Sequence, residues 1–189
     1  MADGPHVRPA VPSAALDVDI VSHAGWGYAI SRWRGERDAR IGALAGAAPD
    51  LLAFIPSGVH RLIADGWHMA PRAEQAPAFW RTPGPLPPDL QYAYDHYYVY
   101  SHSLVILACA AAALWLARKR SWIWFCAPYG LHILMDIPTH VRFQTPFLYP
   151  LTRWTIQGRS WSEPWIFFPQ WVLLIAALVY VRRRYARPA

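Results

Sequence analysis

The chain has 189 residues, enough for one domain and too few for two well-filled cores. It is 54% hydrophobic and only 16% charged, against roughly 25% charged in an average soluble domain, and its 11 tryptophans and 10 tyrosines are residues that collect at membrane interfaces. The net charge of +6 would suit nucleic acid, but its distribution argues against that partner, because most of the arginines stand in short clusters beside apolar runs, where anionic lipid and membrane topology place them.

Taken in chain order, residues 1–17 are rich in Ala and Pro and lack the basic and apolar regions of a cleavable signal, so they are expected as a disordered tail. A short apolar run, 18–30, and a second, 41–59, flank a basic turn that reverses near Gly35, with Asp38 capping the second helix. Pro71, Pro77, Pro83, Gly84, Pro85, Pro87 and Pro88 then punctuate an irregular segment, and 60–100 as a whole is expected as an external loop. Three stronger runs follow. Residues 101–117 stop at Arg118-Lys119-Arg120, 122–137 stop at Pro138, and 164–181 stop at Arg182-Arg183-Arg184. Each approaches the roughly 20 residues that a spanning helix needs. The connection 138–163 is the second external loop. Cys109 and Cys126 lie inside apolar runs and form neither a disulfide framework nor a CxxC clip.

Basic residues fix the orientation. Arg32, Arg34, Arg37 and Arg40, then Arg118, Lys119 and Arg120, then Arg182, Arg183, Arg184 and Arg187 make up most of the 18 lysines and arginines. A five-helix path with the N-terminus outside and the C-terminus cytoplasmic puts all three clusters on the inner side. The expected architecture is an all-α, polytopic membrane bundle of about five helices, one domain over 18–185.

Ionisable side chains inside such runs are costly and mark function by default. They are few: His23, Asp50, His102, His132 and Asp136, with His140 just beyond. At 1.5 Å of rise per residue, His102 and Asp136 each stand about 24 Å from the Arg118–Arg120 turn, and His132 about 18 Å. His23 and Asp50 stand roughly 16 to 18 Å from their own basic turn, so all five fall in the outer half of the membrane. His132 and Asp136 are spaced i, i+4 and share a helix face. Imidazole and carboxylate together suit zinc, or manganese or iron in a more open site. Plainer readings exist for each residue alone. His23 fits an interface histidine, Asp50 a protonated acid, His132 with Asp136 an intrahelical hydrogen bond, and His102 a helix cap. His60 and His68 read as surface residues.

These residues carry a resemblance. Ser22-His23, Ala48-Pro49-Asp50-Leu51, Ser101-His102-Ser103-Leu104, and His132-Ile133-Leu134-Met135-Asp136 with Thr139 are similar to motifs of the YdjM-like family of bacterial inner-membrane metal-dependent hydrolases. Thr145-Pro146-Phe147-Leu148-Tyr149-Pro150 is similar to that family's segment after its last motif, and the likeness covers about residues 20–155. The chain departs from the pattern in having Tyr97-Tyr98-Val99-Tyr100 where the family often has His-Arg-Gly, and Leu52-Ala53 where a second Asp often follows Pro-Asp. The family is distantly similar to zinc phospholipases C and zinc single-strand nucleases, which implies phosphoester hydrolysis by analogy.

The expected function is therefore a metal-dependent hydrolase in the bacterial inner membrane, acting on a small-molecule or lipid phosphoester. His23, Asp50, His102, His132 and Asp136 would hold a divalent metal, zinc by preference. Asp95 or His140 would handle protons. Arg142 and Arg153 would receive phosphate, although interface snorkelling explains those arginines equally well. The rival is a non-catalytic membrane protein whose cluster binds an ion for structure or transport. The near-absence of polar residues in 106–115 and 172–179 argues against an ion path.

Overall fold

A computed structural model describes residues 14–65 and 81–185. The rest of the expected tail and of the first loop, with His68 and Arg187, lies outside the described residues. Among the described residues all regular structure is helical.

Helix α1, Ala14–Ser31, and helix α2, Glu36–Asp65, form an antiparallel hairpin joined by a 3-10 turn at Arg32–Arg34. The chain reverses at Gly35, whose φ of +119° lies in the region that favours glycine. Asp38, expected as a cap, instead accepts a 2.9 Å bond from Arg34. The two helices touch backbone to backbone. A Cβ at Gly27 would collide with the Gly42 carbonyl oxygen, and one at Gly46 with the His23 carbonyl oxygen. Small residues spaced by four in Gly42 and Gly46 allow this approach, as they do between membrane helices generally.

The first loop is not irregular throughout. Its start continues α2 to Asp65, and its end is helix α3, made of Pro88–Ala93, a π-helical turn Tyr94–Tyr98 and a last turn Val99–Ser101. The proline-rich punctuation ends in a proline at the first helical position, where the missing N–H costs nothing. The run 101–117 is likewise not one helix. His102 (ψ 30°) and extended Ser103 break it, and α4, Leu104–Leu116, restarts with the Ser103 hydroxyl accepting from Ile106 N at 3.1 Å. Short α5, Arg120–Ile123, leads to α6, Cys126–Thr139, and α7 is Pro164–Arg184.

Helix α7 lies along α1, with Gln170 donating to Ser22 at 2.8 Å and Leu174 filling the space over Gly25. The second loop carries no helix, yet it is tied down. Gly158, Arg159 and Trp161 donate main-chain bonds to His140, Pro138 and Thr139, and Leu104 N donates to Phe147 O. Phe143 from this loop joins Ala53, Leu90 and Tyr98 in a buried core between α2 and α3.

Two helices, Glu36–His60 and Pro164–Arg184, are long and apolar enough to cross a membrane, and the bent pair Leu90–Ser101 with Leu104–Leu116 makes a third if counted as one broken span. Helices α1 and α6 fall short of that standard for a physical reason. They carry Asp17, Asp19 and His23, and His132 and Asp136, and α6 has only 14 residues. Large apolar side chains such as Ile63, Leu116 and Val172 face outward, which suits lipid. The basic clusters gather at one end of the bundle: Arg32 donates to Tyr185 O at 3.1 Å, and the Arg34 guanidinium lies 5.3 Å from the Trp124 ring beside Arg120.

The glycine crossing is directly testable. Gly27→Leu should lower the thermal unfolding midpoint of detergent-purified protein, by an overpacking cost of about 1–3 kcal/mol or more. Gly58→Leu, with open space around it, should not. Equal midpoints for the two variants would mean that the helices do not meet at Gly27.

Candidate metal centre

Four of the expected ligands, Asp50, His102, His132 and Asp136, converge at one buried point, and His23 lies beside them against Asp136. His23 comes from α1, Asp50 from α2, His102 from the break between α3 and α4, and His132 and Asp136 from adjacent turns of α6. One ligand atom from each of Asp50, His102, His132 and Asp136 lies within 4.8 Å of all the others. His102 Nε2 is 3.1 Å from His132 Nε2, 3.3 Å from Asp136 Oδ2 and 3.5 Å from Asp50 Oδ1. His132 Nε2 is 3.2 Å from Asp136 Oδ2 and 3.7 Å from Asp50 Oδ1. Ligands at 2.0–2.1 Å from a tetrahedral ion stand roughly 3.3–3.4 Å from one another. The measured separations bracket that value.

The surrounding hydrogen bonds decide what these atoms present to each other. His132 Nδ1 lies 2.7 Å from the Gly46 carbonyl oxygen, which can only accept, so Nδ1 carries the proton and Nε2 of the neutral ring carries a lone pair. The Ser101 hydroxyl donates to Tyr98 O at 3.3 Å, which leaves its oxygen to accept from His102 Nδ1 at 2.9 Å. His102 Nε2 is therefore a lone pair as well. With two carboxylate oxygens beside them, four acceptors converge and no donor stands among them. With both rings neutral, a cation is a natural companion for these four acceptors, and this set could hold a metal ion. The other ring nitrogen of a metal-binding histidine is usually held in this way by a carbonyl or similar group.

Packing holds the rings in place. Tyr98 stacks on His102 with centroids 3.7 Å apart and planes 16° off parallel, while its hydroxyl donates to Phe143 O at 3.2 Å. His23 lies over His132 with centroids 3.8 Å apart.

His23 Nε2 is 3.1 Å from Asp136 Oδ1 and 3.3 Å from Asp19 Oδ1. Despite these distances, neither nitrogen of His23 and neither oxygen of Asp136 has a hydrogen-bond partner among the described residues. His140, at the end of α6, reaches the same side, with Nδ1 3.2 Å from Asp136 O and Nε2 3.8 Å from Asp19 Oδ2. Asp19 is the member that sequence reading passed over. It precedes His23 by one helical turn, the same i, i+4 spacing that drew attention to His132 and Asp136.

The remaining candidates lie in contacts of their own. Asp95 accepts from Gln91 at 2.7 Å and from Arg153 at 2.8 Å, so both its oxygens are engaged away from the cluster. Arg142 donates to Pro85 O at 2.8 Å and Thr82 Oγ1 at 3.1 Å. His60 is exposed and stacks on Tyr92. Compared with protein-family models, curated proteins and solved structures, the chain matches none of them.

If Ser101 sets the His102 tautomer and the cluster holds a divalent metal, Ser101→Ala should weaken its affinity about 10–100-fold without removing a ligand. Competition against a chromophoric chelator measures this. Unchanged affinity would detach the hydroxyl from the ligand set.

Proposed function

We propose that this chain is a membrane-embedded, metal-dependent hydrolase of phosphoester or lipid-like substrates, related to the YdjM-like family and seated in a bacterial inner membrane. The observation that carries the metal is the convergence of four lone-pair donors, Asp50, His102, His132 and Asp136, at separations that match one tetrahedral ion. Zinc suits the two-imidazole, two-carboxylate set best. When bound, a divalent ion of this kind supplies Lewis acidity and brings the pKa of water down to about 7.

The protein's own groups supply the rest. Asp50 and Asp136 balance positive charge, and His102 and His132 are locked in ligating tautomers. Of the two residues expected to handle protons, His140 is the one beside the cluster. Arg142 and Arg153 serve a phosphate only by exchanging their present partners. The clustering of basic residues at one end supports a five-pass arrangement with the N-terminus outside, in which α1 and α6 are short polar passes and the cluster lies nearer the outer face.

One observation favours the rival, an ion held for structure. The His102, His132 and Asp136 side chains are at most 1% exposed. Turnover separates the two readings. Purified protein should contain zinc and hydrolyse a generic phosphodiester or a phospholipid, whereas metal without turnover across a broad panel favours the structural ion.

Removing a ligand should exceed the roughly 10–100-fold effect of losing an outer hydrogen-bond partner. His102→Ala and Asp136→Ala are expected to abolish stoichiometric zinc, read by elemental mass spectrometry on monodisperse protein. Full zinc retention in both would sink the assignment.

A further inference from the structure

Asp136 faces two ways. Its Oδ2 points to His102 and His132, while its Oδ1 lies 3.1 Å from His23 Nε2. On that second side, one ligand atom from each of Asp19, Asp136 and His140 lies within 4.8 Å of the other two. We propose that a second divalent cation binds there, held by Asp19, Asp136 and His140 with His23 Nε2 alongside, so that the Asp136 carboxylate bridges two ions. This rests on reading the first cluster as a metal site.

Three observations support it. First, His23 Nε2 and Asp136 Oδ1 are buried beside each other with no hydrogen-bond partner among the described residues, the condition of ligands aimed at a common point. Second, His140 Nδ1 donates to the Asp136 main-chain oxygen, which leaves Nε2 of the neutral ring a lone pair on the Asp19 side. Third, Asp19, Asp50 and Asp136 bring three carboxylates into one buried cluster of imidazoles. With the imidazoles neutral, as ligation requires, a single divalent ion offsets only two of those three charges, and an unbalanced buried charge is costly.

The two sites differ in access. His140 is 15% exposed whereas His102 is 0% exposed, so the second ion is the outer and more exchangeable one. Paired ions bridged by a carboxylate suit displacement at phosphorus, where one stabilises the attacking and the other the leaving oxygen. That narrows the proposed substrate class to phosphoesters. It also assigns His140 to ligation instead of the proton handling expected from the sequence.

The test is metal stoichiometry on the full chain in detergent, loaded with zinc or with manganese. The wild type should hold two ions per chain, and Asp19→Asn and His140→Gln should each hold one. Manganese-loaded wild type should show an exchange-coupled electron paramagnetic resonance signal, replaced by an isolated-ion signal in both variants. His140 is only half-buried, so His140→Gln keeps the test available should Asp19→Asn fold poorly. One ion in the wild type, lost in His102→Ala, overturns the second site and leaves the first standing. No ion at all overturns both. Two ions that persist in both variants overturn this choice of ligands.

Discussion

The arrangement depends on how charge is balanced at the point where His102, His132, Asp50 and Asp136 meet. Each imidazole has one nitrogen occupied elsewhere, His132 by the Gly46 carbonyl and His102 by Ser101. A single proton shared between the two Nε2 atoms would satisfy one lone pair and leave the carboxylates facing each other's charge. Burial makes the residual repulsion expensive, because the surrounding medium screens it far less than water does. A cation held among the four groups would offset that repulsion.

Backbone packing sets up that chemistry. Gly27, Gly42 and Gly46 let α1 and α2 approach until their main chains touch. The same approach carries His23 over the His132 ring and presents the Gly46 carbonyl to His132 Nδ1. Pro49, three residues later, cannot donate to the helix ladder, and Asp50 beside it is buried within the continuous helix α2. On the other side, the break at His102 and Ser103 frees the imidazole from a regular helical direction. The loose ends are met by the second loop, through Leu104 N to Phe147 O and the Ser103 hydroxyl to Tyr149 O.

Most of the cluster could be read from the sequence because charge in an apolar run is conspicuous. His23, Asp50, His102, His132 and Asp136 stand out against their neighbours, and helical rise from the basic turns puts them in one layer. Asp19 did not stand out, since it sits at the margin of its run beside Asp17, where acidic residues look like the start of solvent. The break in 101–117 was equally hidden, as hydropathy continues unbroken through it while the Ser103 capping signal is one residue deep. Helix α3 was lost because aromatic, tyrosine-rich sequence resembles an interface belt as much as a helix. Arg142 bonds partners 57 or more residues away, and Arg153 and Asp95 pair across 58, which no local pattern reveals.

The Tyr98 stack has a kinetic side. The ring covers one face of His102, and its hydroxyl is anchored to Phe143 O and Thr145 on the second loop. His102 consequently cannot swing aside unless the tyrosine lifts and the loop yields with it. An ion at the inner position would then have a residence time governed by loop opening, not by the strength of its bonds alone, and slow exchange would accompany even modest affinity.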